Sequence, residues 1–92
     1  MIKLEMPNIQ GLVEHVGKEI HSRVSNRTPV RTGTARDGWD LTVSPDTVRI
    51  NNSVPYIGIL ENGTSTHKAN NMVRTTMEEV PSIIEDYLRN NK

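Results

Sequence analysis

The sequence predicts a small α+β domain: an antiparallel β-hairpin over about 35–51, an N-terminal helix over about 8–25 and a C-terminal helix over about 71–90. Three observations carry this. Apolar residues recur at helical spacing from Ile9 to Val24 and again from Val73 to Leu88. Between these blocks the spacing changes to alternation, with Trp39, Leu41 and Val43 before Val48 and Ile50. A Ser44-Pro45-Asp46-Thr47 segment separates the two alternating runs and suits a tight turn, with proline at its second position. The 92 residues then read as a single domain, 1–92.

The elements follow in order. Met1–Met6 alternates Ile2, Leu4 and Met6 with Lys3 and Glu5, and Pro7 ends the run, so residues 1–7 are an edge strand or an N-terminal arm. Asn8 offers an N-cap, and Ile9, Leu12, Val13, Val16, Ile20 and Val24 make the apolar stripe of the first helix. Gly17 lies inside that helix at a cost of about 1 kcal/mol relative to alanine, which marks a close contact there. Asn26 serves as its C-cap, with Arg23 and Arg27 at the negative end of the helix dipole. Thr28-Pro29 stops the helix, because a residue before proline is pushed out of the α region.

Arg31-Thr32-Gly33-Thr34 reads as a turn in which Gly33 supplies a positive φ. A strand then runs from Ala35 with Trp39, Leu41 and Val43 inward, and Trp39 is the natural core anchor. After the returning strand, Pro55 opens a short helical turn containing Ile57, Leu60 and Glu61. Gly63–Lys68 is a polar loop, and Asn70 or Asn71 caps the last helix. Val73, Met77, Val80, Ile83, Ile84, Tyr87 and Leu88 form that helix's apolar face, and Pro81 should kink or split it.

Composition narrows the function. The formal net charge is zero, whereas a dedicated nucleic-acid binder shows a strong basic excess. The local exception is Arg23, Arg27, Arg31 and Arg36, which form either a basic patch meeting phosphate or an acidic partner, or solvated charge balanced by Asp37 and Asp40. Without cysteine there is no disulfide and no thiolate metal site. His15 and His21 are spaced off the helical repeat and face different ways, and His67 is remote, so no metal or cofactor is expected. Gly33 alone makes no phosphate loop. Glu61 as a catalytic carboxylate would need a second acid, and only Asp37 and Asp40 are available, so no enzyme is expected. The absence of a basic segment leading into an apolar run argues against a signal peptide, and no long apolar run points to a membrane. A core with no phenylalanine and one tryptophan buries little area, which favours self-association as a further source.

Two motifs add a resemblance. Thr28-Pro29-Val30-Arg31-Thr32-Gly33-Thr34-Ala35-Arg36 resembles the Pro-Val-(Asp/Arg)-Thr-Gly-x-(Leu/Ala)-(Arg/Lys) signature of phage head–tail joining, or tail-completion, proteins, often described as minor tail components of long-tailed phages. Pro55-Tyr56 followed by Leu60-Glu61-Asn62-Gly63-Thr64-Ser65 is similar to the family's Tyr-Ala-x-x-(Val/Leu)-Glu-x-Gly-Thr block. The likeness extends from about Ile9 to Leu88. Ile57 replaces a small residue, Asn62 an aromatic one, and Asn71-Met72-Val73-Arg74-Thr75-Thr76 stands where the family carries Pro-Phe-(Leu/Met)-Arg-Pro-Ala; the short chain is that expected of a trimmed member.

The resemblance implies a non-enzymatic virion structural protein, made in the host cytoplasm and placed at the head–tail interface. It implies a homo-oligomeric ring of six subunits that meets the tail tube or terminator and the head-side connector. Genomic DNA passes through its lumen without sequence-specific binding. Pro29, Arg31, Thr32, Gly33, Arg36, Tyr56, Glu61, Gly63 and Thr64 become the interface or turn-defining residues. Two other readings are a tail terminator ring and, from a different class, a small DNA-binding or regulatory protein using the arginines.

Overall fold

The structure, a computed structural model, describes residues 1–7, 9, 11–29 and 33–90. Its elements are β1 (Ile2–Glu5), α1 (Leu12–Arg27), α2 (Gly33–Asp37), β2 (Trp39–Ser44), β3 (Thr47–Asn52), α3 (Ile57–Asn62) and α4 (Met72–Asn90). This is the expected α+β class, an antiparallel sheet with a helix before and a helix after it. The sheet has three strands in the order β1-β3-β2, all antiparallel. The N-terminal segment is therefore an edge strand of its own sheet, with Ile2 opposite Ile50 and Leu4 opposite Val48.

The registers put one apolar set on one face. Ile2 and Leu4, Val48 and Ile50, and Trp39, Leu41 and Val43 line up across the three strands, as period-2 geometry requires. Helix α1 packs on β2 and β3 and also on α4, and it contributes Leu12, Val13, Val16, Ile20 and Val24 to the core. The approach is close at Gly17, where a Cβ would lie 3.0 Å from a methyl of Val43 and 3.3 Å from one of Leu41. Helices α1 and α4 run antiparallel: His15 stacks on Tyr87 with ring centroids 4.4 Å apart, and Arg23 and Arg27 reach Glu79.

Several boundaries differ from the sequence expectation. Helix α1 begins at Leu12, because Gly11 adopts a left-handed conformation (φ 80°) that the helix cannot continue backwards. Ile9 is exposed instead of joining the stripe, and Asn8 lies outside the described residues. The C-cap is Thr28, whose backbone is extended and whose N–H donates to the Ser25 carbonyl, so Asn26 is still helical. Residues 33–37 are a helical turn, and the strand starts only at Trp39. Gly33 therefore enters a helix rather than a glycine-specific turn. The alternation of Ala35 with Asp37 misleads because Ala35 is buried for another reason: its carbonyl accepts the buried Asn52 side chain at 2.8 Å. Val43 remains 38% exposed, since β2 is an edge strand. Helix α4 is continuous through Pro81. Pro81 is exposed there and the helix is held on both sides of it by buried Val80 and Ile83, so burial offsets the missing backbone hydrogen bond.

Candidate interaction surface

The connection from α3 to α4 is built residue by residue. The C-terminal carbonyls of a helix lack intrahelical partners, and here each of three finds one in the following loop. The Gly63 N–H donates to Ile59, the Asn70 N–H to Leu60 and the Asn71 N–H to Glu61, at 2.8, 2.8 and 3.0 Å. Asn70 adds a side-chain bond to the same Leu60 carbonyl at 2.9 Å. Gly63 has φ 74°, and a Cβ there would lie 2.6 Å from the His67 carbonyl oxygen and 2.7 Å from the Ala69 nitrogen. Only glycine fits. Thr64 closes the loop: its N–H donates to the His67 carbonyl, and its hydroxyl accepts from the Thr66 and His67 N–H groups. Thr64–Lys68 are thus exposed on a loop whose conformation is fixed from within, the arrangement that lowers the ordering cost of binding.

Glu61 sets the next element. It is 7% exposed, and its two carboxylate oxygens accept from the Val73 and Arg74 N–H groups at 2.9 and 3.0 Å. These are first-turn donors of α4, so Glu61 caps that helix from eleven residues upstream and places negative charge at the positive end of its dipole. Asn71, expected as a cap, gives only its backbone carbonyl, which accepts from Thr75, and adopts a left-handed φ of 49° that asparagine tolerates. Glu61, expected as an interface or turn-defining residue, thus serves within the fold as the cap of α4.

The two motif ends meet on one surface. Pro29 from the first motif and Tyr56 from the second line a groove of about 310 Å³, completed by Ile59, Leu60, His67, Lys68 and Asn70. Tyr56 is 36% and Ile59 48% exposed, an apolar floor with a basic rim. A larger concavity of about 710 Å³ lies on the solvent face of the sheet, lined by polar residues including Lys3, Asp40, Thr42, Arg49 and Asn51. It includes none of the motif residues, and its open polar character is that of a solvated sheet face. The groove is the better candidate, because apolar floor and ordered loop coincide there.

The arginines divide. Arg23 and Arg27 both bond Glu79, at 2.9 and 2.6 Å, and Arg23 also bonds Glu19 at 3.1 Å. Hydrogen bonds from Arg27 and then Arg23 hold the Glu79 carboxyl at about 2, well below its ordinary range, and Glu79 in turn raises Arg23. Arg27 further donates to the buried Thr76 hydroxyl at 2.7 Å. Arg36 reaches back to the Asn26 side chain at 3.3 Å. Two members of the anticipated basic patch are therefore neutralised against α4, which weakens the reading of a phosphate-binding face. Arg31 and Thr32 lie outside the described residues.

The histidines have structural neighbours. His21 Nε2 lies 3.0 Å from the Trp39 carbonyl oxygen, and His15 stacks on Tyr87. Among the described residues no group of three His, Asp or Glu side chains is placed to hold a metal, and no helix is long and apolar enough to cross a membrane. His67 and Lys68 belong to the polar Gly63–Ala69 loop that the sequence already offers to a neighbour, and Leu60 to the second motif. Ile59 and Asn70 are the groove residues that the sequence reading did not single out for a partner. Comparison with protein-family models, with curated proteins and with solved structures returns no significant match.

Proposed function

We propose that this chain is a non-enzymatic virion structural protein of the head–tail joining or tail-completion type. Subunits assemble as a ring between the tail tube or terminator and the head-side connector, and the genome passes through the lumen without base-specific contacts. The observation that supports this best is the convergence of the two motif ends. Pro29 and Tyr56 share one groove, beside a loop fixed by Gly63 and Thr64. The one carboxylate singled out for chemistry, Glu61, has both oxygens engaged by the backbone of α4, in keeping with an architectural role.

Mass measurement of the native particle with negative-stain imaging, alone and with tail tubes, tests the proposal. Rings, either free or at tube ends, are expected. A chain that forms no ring in either condition overturns it. The DNA-binding alternative expects steeply salt-dependent binding by the isolated chain, and the proposal expects none even at low salt.

A further inference from the structure

We infer that the groove takes the far end of a second copy of this chain, with Leu88 as its anchor, so that subunits join head to tail. This rests on the self-assembling reading above and names the partner of the groove. Exposed large apolar side chains concentrate at two places besides Met1 and Val43. Tyr56 and Ile59 are at the groove, and Ile9 and Leu88, 45% and 39% exposed, are at the start of α1 and the end of α4. Because α1 and α4 are antiparallel, these last two lie at the same end, where the ideal Cβ of Gly11 would stand 3.1 Å from the Tyr87 hydroxyl. The groove lies at the other end, where α1 has ended and α4 has not begun.

The separation excludes self-contact within one chain. At about 1.5 Å per residue, Leu88 is roughly 24 Å along α4 from the helix start beside the groove, and the molecule is 47 Å long and about 20 Å across. Charge favours the pairing. The groove rim carries His67 and Lys68, and Lys68 has no ion pair among the described residues. Around the opposite end the exposed acids Glu14, Glu85 and Asp86 outnumber the described cations Lys18 and Arg89, of which Arg89 pairs with Glu85 at 2.6 Å. An apolar anchor with a local acidic excess meets an apolar groove with a basic rim. The two surfaces are different, so the contact is heterologous. Each added subunit leaves one groove and one end free, and a ring closes if the rotation per subunit allows it.

Two variants of the full chain test this by sedimentation velocity and native mass spectrometry. Ile59→Lys blocks the groove and Leu88→Glu blocks the end. Each should weaken self-association by at least roughly 30-fold, the fold-change of losing an anchor residue. Circular dichroism should stay that of the wild type, since both sites are exposed. If either variant misfolds, Tyr56→Glu and Ile9→Glu replace them. Mixing the two blocked variants is decisive: the intact end of one fits the intact groove of the other, so a 1:1 pair forms and growth stops there.

The inference is overturned by a wild type that stays monomeric at about millimolar concentration. It is overturned equally by variants that assemble like the wild type, or by a mixture that gives no 1:1 pair. Rings that persist in both variants remove this contact and leave the virion reading standing. Head-to-tail oligomers that never engage tail tubes do the reverse.

Discussion

The β2–β3 hairpin and the α3–α4 junction both reverse the chain within a few residues, and they are held by different means. The hairpin relies on a backbone ladder from Trp39 opposite Asn52 to Ser44 opposite Thr47. Its side chains sort by alternation, and its outer face is solvated. The junction has no ladder. It relies on a glycine in a conformation no other residue tolerates, a buried carboxylate across a helix start, and a threonine closing a loop. A backbone ladder is generic and forgives substitution, whereas a set of single-purpose side chains does not. The groove is built on the unforgiving region, which is what a surface of fixed shape requires.

The largest effect is expected at Gly63. In Gly63→Ala the new methyl would overlap the His67 carbonyl and the Ala69 nitrogen, both backbone atoms that move only if the loop opens. A loss of about 3 kcal/mol is expected, combining a disfavoured φ with overpacking. Urea unfolding reads it directly. A loss below about 1 kcal/mol would mean that the loop is not the rigid piece described.

Glu61→Ala comes next. It leaves two first-turn donors of α4 without acceptors and removes the negative charge at the helix start. The expected loss is about 2 kcal/mol, and Glu61→Gln, which keeps one acceptor oxygen, should lose about half as much. Amide exchange at Val73 and Arg74 should quicken in both variants before the rest of α4 responds.

The same contrast explains what could be read from the sequence. Alternation predicts the hairpin and helical spacing predicts α1 and α4, because each is a repeated signal over many residues. The errors fall where one residue answers to a distant partner. Ala35 looked like a strand residue but is buried under a turn that the Asn52 side chain holds. Asn70 or Asn71 looked like the cap of α4, yet the Glu61 side chain, remote in sequence, does that work. Pro81 looked like a break, yet Val80 and Ile83 are buried on both sides of it. Of the site, Pro29, Tyr56 and Gly63 were visible as motif residues. That Pro29 and Tyr56 line one groove was not, because it depends on where the chain places α3 relative to the segment after α1.

A second carboxylate sharpens the comparison by anchoring α4 differently. Glu79 faces Arg23 and Arg27 near the surface, with its side chain 32% exposed. Its folded value of about 2 lies below the ordinary 4.5. A depressed value means the contribution is fully present above the unfolded value and disappears as pH falls from 4.5 toward 2. Stability should therefore drop across that window in the wild type, and the drop should be smaller in Glu79→Gln. Added salt should weaken the Glu79 contribution, since exposed pairs are screened. Urea midpoints measured at several pH values in the wild type and in Glu79→Gln read this directly.

The smallest effect belongs to the hairpin. Val43→Thr exchanges a methyl for a hydroxyl on an edge strand at a site 38% exposed. The strand preference of threonine is close to that of valine, and the hydroxyl can remain hydrated. The contact that the exchange tests is that of a Val43 methyl beside Gly17. The expected change is within about 0.5 kcal/mol. Thr42→Val, on the solvated face opposite Arg49, should fall in the same range. If Val43→Thr instead cost as much as Glu61→Ala, the methyl over Gly17 would be a specific lock between sheet and α1. The hairpin would then belong with the junction among the parts held by single side chains. A near-neutral result keeps the division: the sheet is set by its ladder, and the surface that meets a partner is set by a few residues that have no substitutes.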